Sequence, residues 1–194
     1  MNQLDVYEIV KDIIYVLFAG AGVVVAWKGL FIWRDHAQGN TEYEIARKLY
    51  KSVLKLRDAI KLVRNPGIWP AETQEAHAKY PDAPEGTTHA VYYLRWEKVT
   101  EAYSELELEQ LEAEVLWRNN IIKKLDSIKN CVKKLNIYLT DHLRPTDRKI
   151  KPQDETFKMI YDIGESDEFS KEVESSAKEV ADFVKPKFKF SIKD

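Results

Sequence analysis

Residues 13 to 33 read IIYVLFAGAGVVVAWKGLFIW, an apolar run interrupted by one charge, Lys28. A helix needs roughly 20 mainly apolar residues to cross a hydrocarbon core of about 30 Å, so this stretch predicts a membrane span. Lys28 lies within two turns of its end, where the alkyl stem stays in lipid and the ammonium reaches the headgroups. Tyr15 toward one end, with Trp27, Phe31 and Trp33 toward the other, match an interfacial aromatic belt.

Ala19-Gly20-Ala21 has the small-x-small spacing of a signal-peptide cleavage site. The residues before it carry Asp5, Glu8 and Asp12 against Lys11 alone, and only Ile13 to Phe18 would form the apolar core, so an uncleaved anchor is expected. Flanking cations set the orientation. Lys28 and Arg34, then Arg47, Lys48 and Lys51, follow the span, against Lys11 before it, which predicts residues 1–12 outside and residues 34–194 in the cytoplasm. Within the span Ala19, Gly22, Ala26 and Gly29 recur at three, four and three, a face without bulky side chains that invites a second helix.

The 194 residues hold a single cysteine, Cys131, so no intrachain disulfide is available, consistent with a reducing cytoplasm. Charged residues make up 32% and glycines number only 7, which favours helices with solvated faces over a sheet. A net charge of −2 offers no general case for nucleic acid.

Arg34 to Gly39 is polar and suggests a linker, with Gly39 able to break or bend a helix leaving the membrane. Thr41 followed by Glu44 is a capping box, predicting a fresh helix over about 42–64. Ile45, Leu49, Val53, Leu56, Ile60 and Val63 form its apolar stripe, and Asn65-Pro66-Gly67 ends it. Residues 66–87 carry Pro66, Pro70, Pro81, Pro84, Gly67 and Gly86 and read as a sizeable loop, in which Trp69 is expected to fold back over the end of a bundle, the alternative being a tryptophan that docks a partner.

A second stripe runs through Tyr92, Trp96, Val99, Tyr103, Leu106, Gln110, Ala113 and Trp117, steps to Ile121 and Leu125, and continues through Ile128, Val132, Leu135 and Leu139. The extra step of four is a stutter, so one helix over 88–143 is expected, bent or briefly interrupted around Trp117 to Ile121. Such a helix, returning antiparallel to the first, would meet the bilayer with some 30 residues unspent. Either it turns at Asn119-Asn120 or the bundle lies along the membrane. The basic first helix (Arg47, Lys48, Lys51, Lys55, Arg57, Lys61, Arg64) and the acidic half of the long one (Glu97, Glu101, Glu105, Glu107, Glu109, Glu112, Glu114) favour the antiparallel pairing. Beyond Pro145, residues 156–163 leave helix and strand open. A last helix over 167–184 carries Phe169, Val173, Ala177, Val180 and Val184 on one face, and the tail from Lys185 is either an edge strand or a basic, aromatic surface segment.

Catalytic signals are absent from the sequence. His36, His77, His89 and His142 are scattered, no HExxH or CxxC occurs, and there is neither a Gly-rich phosphate loop nor a GxSxG elbow. No metal, cofactor, small-molecule substrate or enzymatic activity is expected, and Cys131 reads as a small packed apolar residue. Binding has more support. Arg47, Lys48 and Lys51 start close to the membrane, and Lys123, Lys124, Lys129, Lys133 and Lys134 precede Arg144, Arg148, Lys149 and Lys151. Arg47, Lys48, Lys51, Lys123 and Lys124 are candidate contacts to an anionic surface, against the plainer reading of a solvated face.

The segments Gly39-Asn40-Thr41-Glu42-Tyr43-Glu44-Ile45-Ala46, Leu56-Arg57-Asp58-Ala59-Ile60 and Val63-Arg64-Asn65-Pro66 resemble a group of bacterial inner-membrane proteins with one N-terminal span and a cytoplasmic helical domain. The resemblance includes no catalytic motif; it implies a bacterial inner-membrane location and nothing about activity.

The expected protein is therefore mainly α: an N-terminal transmembrane helix followed by an elongated antiparallel helical hairpin or bundle with one long helix. It is expected to be a membrane-anchored scaffold that oligomerises or docks a cytoplasmic protein, because the stripe beyond Trp117 has only the shorter last helix as an intrachain mate. The alternative is a membrane effector or sensor acting by oligomerisation of its span.

Overall fold

A computed structural model describes residues 3–83, 87–144, 155–162, 164 and 167–191. The described residues are 90% helical, with no strand among them. The sequence-level features at Pro84, Gly86, Pro145, Arg148, Lys149, Lys151, Ile163 and Ser166 lie outside the described residues.

Helix α1, Gln3–Arg64, is 62 residues long. The expected linker and restart are not observed: the helix passes through Arg34 to Gly39, and Thr41 is not a cap. The Thr41 hydroxyl instead donates to the Ala37 carbonyl one turn back, at 3.0 Å. Glycine costs only about 1 kcal/mol relative to alanine inside a helix, too little to stop one with good helix formers on both sides. A capping box works only where the preceding turn has already left the helix.

The expected long helix is two helices. Helix α3, Thr87–Trp117, ends one residue before helix α4, Asn119–His142, begins. Arg118 between them has φ 50°, the one positive-φ non-glycine residue among those described. The stutter therefore marks a reversal, as Lys129 of α4 returning to Glu107 of α3 at 3.3 Å shows. The turn next to Asn119-Asn120 removes the surplus length that a single helix would have carried toward the membrane.

Four helices then close on one another. Lys48 meets Glu112 and Lys55 meets Glu105, so α3 runs opposite to α1. Helix α6, Glu168–Val184, runs opposite to α4, with Lys124 beside Glu179 and Lys134 beside Glu172. It also runs opposite to α1, with Lys61 against Glu174 and Lys187 against Glu42. The charge pairing differs from expectation at one end: Arg57 and Lys61 reach Glu174 of α6, not the acidic stretch of α3. These partners are half-exposed, and each such pair contributes at most about 1 kcal/mol.

The core is what the apolar stripes predict: Leu49, Val53, Leu56 and Ile60 of α1, Val99 and Leu106 of α3, Ile121, Leu125, Ile128 and Leu135 of α4, and Val173, Val180 and Val184 of α6. The stripe beyond Trp117 is therefore covered within the chain by α3 and α6. Helix α6 suffices because α4, at 24 residues, is also short and is shared between two neighbours. The seam that was expected to call for a second copy does not exist.

The proline-rich connection also holds more order than expected, because helix α2, Pro70–Lys79, packs on α3 within it. Pro70 occupies the first turn, where its missing N–H costs nothing. Helix α5, Glu155–Ile160, settles the helix-or-strand choice, and Lys185–Ser191 form a 3-10 helix against α1 where an edge strand was one option.

Candidate interaction surfaces

The largest uncovered feature is the N-terminal part of α1. Its most apolar window is 0% buried, and Val16, Phe18 and Val25 are each at least 70% exposed. Of the expected association face, a side chain added at Gly22 or Gly29 would meet nothing within 4 Å. Ala19 and Ala26 are likewise exposed. Because α1 is one helix, the direction of this face follows from its pitch. At 3.6 residues per turn, Ala19, Gly22, Ala26 and Gly29 lie roughly opposite Leu49, Val53, Leu56 and Ile60, so the face points away from the bundle.

Two buried arginines organise the far end. Arg64, the last residue of α1, is 1% exposed. Its guanidinium donates to Asp167 at 2.6 Å, to Ser170 at 2.5 Å, and to the carbonyls of Lys158, Met159 and Tyr161. Asp167 also caps α6, accepting from the Ser170 backbone N–H at 3.0 Å. Arg64 thus ties the end of α1 to the end of α5 and the start of α6, and it packs over Phe169 at 4.9 Å. Arg95, also 1% exposed, grips both oxygens of Glu72 at 2.7 and 2.8 Å and donates to the carbonyls of Asn65 and Gly67 at 2.5 Å. Donation from Arg95 holds the Glu72 carboxyl below the usual carboxylate range.

This clamp fixes the 65–70 turn, and the turn presents Ile68 and Trp69 to solvent. Trp69 is 67% exposed, so it does not cover the bundle as expected. With proline on one side and a pinned Gly67 on the other, the backbone holds the indole outward. A second cluster at the same end joins Tyr92, His142 and Tyr161 edge to face, with centroids 5.5 and 6.1 Å apart. Burial, and to a smaller degree His89, push the His142 imidazole below its ordinary value.

The candidate cations divide. Arg47 pairs with Glu44, Lys48 with Glu112 and Lys124 with Glu179, whereas Lys51 and Lys123 are exposed and have no carboxylate partner among the described residues. The five do not converge on one patch. The described residues hold no group of His, Cys, Asp and Glu able to bind a metal ion. Cys131 is buried, and burial pushes its thiol up, away from the reactive thiolate.

Arg95 is the feature that sequence reasoning missed, whereas the exposed Trp69 matches the alternative to the expected fold-back. Arg95 had a signal: it falls three residues after Tyr92 and four before Val99, a cation on an apolar stripe. No protein-family model matches the chain, and neither does any curated protein or solved structure.

Proposed function

We propose that the protein is a single-span membrane scaffold, anchored in the bacterial inner membrane by residues 13–33 with its helical bundle in the cytoplasm, and that it acts by assembly and docking rather than catalysis. The observation that carries this is the contrast within α1: residues 14–33 expose a continuous apolar surface, while the rest of the same helix is a core element of a closed bundle. Such a length of exposed Val, Leu, Phe and Trp needs a lipid or protein environment. Assembly rests on the Ala19, Gly22, Ala26 and Gly29 face, and docking of a cytoplasmic protein on the rigidly held Trp69.

The test is the mass of the purified protein in nanodiscs by light scattering. A defined oligomer that dissociates on Gly22→Leu supports assembly through the span; a monomer in both proteins rejects it. The unbroken helix between span and bundle favours one second reading, an effector or sensor in which span association is relayed to the bundle. Growth arrest on overexpression, abolished by Gly22→Leu, would favour that reading, and harmless overexpression would count against it.

A further inference from the structure

The bundle meets α1 close to the proposed span, and the junction is hollow. A groove of about 450 Å³ lies between Trp33, Arg34, Thr41 and Glu42 of α1 and Leu116 and Trp117 of α3. Adjoining it, and sharing Leu116 and Trp117 in its lining, a second groove of about 840 Å³ is lined by Arg118, Asn119, Asn120, Phe183 and Lys187. Trp117, common to both linings, is fixed by donation from its indole N–H to Glu42 at 2.9 Å and by Lys187 stacked 4.7 Å over its ring.

The charges here are unevenly satisfied. Lys187 is neutralised by Glu42 at 2.7 Å, and that bond holds the Glu42 carboxyl below its usual range. Glu114 accepts from the Gln110 side chain. Arg34 and Arg118 have no carboxylate partner among the described residues, and both are exposed. Arg118 keeps its place at a positive φ of 50°, where glycine would sit without strain.

Height selects the occupant. With Trp33 at the hydrocarbon boundary, Arg34 lies in the headgroup layer, roughly 5–7 Å thick on each side. Glu42 and the Arg118 turn stand about 13 Å beyond Trp33 at ~1.5 Å per residue, within reach of a long arginine side chain to the phosphates. Resting on the span proposed above, we infer that this junction binds an anionic phospholipid of the adjoining leaflet, its phosphate between Arg34 and Arg118 and its glycerol region against Trp33, Leu116 and Trp117.

The test is native mass spectrometry of the full chain, titrated in detergent with dioleoylphosphatidylglycerol or dioleoylphosphatidylcholine, with entry into phosphatidylcholine nanodiscs scored separately. The anionic lipid should bind more tightly by about fivefold for each cation engaged, with the preference reduced in Arg34→Gln and abolished in the Arg34→Gln/Arg118→Gln double variant. Arg34→Gln, on an exposed helical turn, keeps the test meaningful if the turn variant folds poorly. No preference in the wild type, or one that survives both substitutions, overturns the inference. So does an equal loss in the Lys98→Gln/Lys171→Gln control, two exposed lysines outside the groove linings, which would mean diffuse attraction. A chain that does not enter nanodiscs rejects the span and this site together, whereas one that enters and shows no lipid preference rejects the site alone.

Discussion

Arg64 and Arg95 carry more structural weight than any other charged residues described here. Each sits fully inside the protein with its donors directed at carbonyls and a carboxylate, so removing the cation takes the charge partner from that carboxylate. Arg64→Leu is expected to cost about 3–5 kcal/mol by removing the guanidinium from the buried Asp167 pair, against at most about 1 kcal/mol for Lys55→Gln at an exposed pair; chemical denaturation measures both. Equal, small losses would show that the buried pair contributes no more than an exposed one. His142 gives the pH dependence. Its folded-state value lies below the unfolded one, so the unfolded chain takes up the proton first as pH falls. Stability from this residue is complete above about pH 6.5 and declines below it, and in His142→Phe that part of the decline should disappear from the denaturation midpoints.

At the scale of elements, two local conformations invite substitution. Gly39 lies within α1, so Gly39→Ala should stabilise the protein by up to about 1 kcal/mol; if the chain were a linker there, alanine would bring no such gain. Arg118→Gly should relieve the positive φ and raise the thermal midpoint by the equivalent of roughly 1 kcal/mol, while removing a cation from the lipid groove. A more stable protein with weaker lipid preference would show why arginine stands in a place suited to glycine.

These elements also show what could be read from sequence. The stripes of α1, α3, α4 and α6 were legible because burial imposes a 3.6-residue period wherever a helix faces a core. Helix ends were less so. Thr41 and Glu44 carry a complete capping signature inside an unbroken helix, because capping residues stabilise an end without forcing one. The reversal at Arg118 fell within the predicted window of Trp117 to Ile121, yet its sharpness depends on one residue's φ that no side-chain pattern encodes. Arg95 was hidden because the helix bearing it supplies no partner; Glu72, Asn65 and Gly67 come from a connection whose order was itself unexpected.

On the scale of the whole molecule, the proposed span and the bundle meet within a single helix. The bundle half of α1 has its apolar side chains buried, the other half has them exposed, and the groove at Trp33 to Glu42 lies where one becomes the other. The opposed directions of the Gly22 face and the bundle core mean that span association would set two bundles back to back, with Lys51, which has no carboxylate partner among the described residues, brought near its counterpart. Association should therefore strengthen as salt screens that repulsion over a Debye length of about 8–10 Å near physiological ionic strength; a mass that falls with added salt would exclude this arrangement.

The most direct measurement is hydrogen–deuterium exchange of the full chain in lipid nanodiscs, read along α1. Slow exchange is expected through residues 14–33, shielded by lipid, continuing through Arg34 to Gly39 into the bundle without a fast-exchanging gap. Rapid exchange across 14–33 would contradict the span, and a fast segment confined to 34–39 would contradict the continuous helix on which its coupling to the bundle depends.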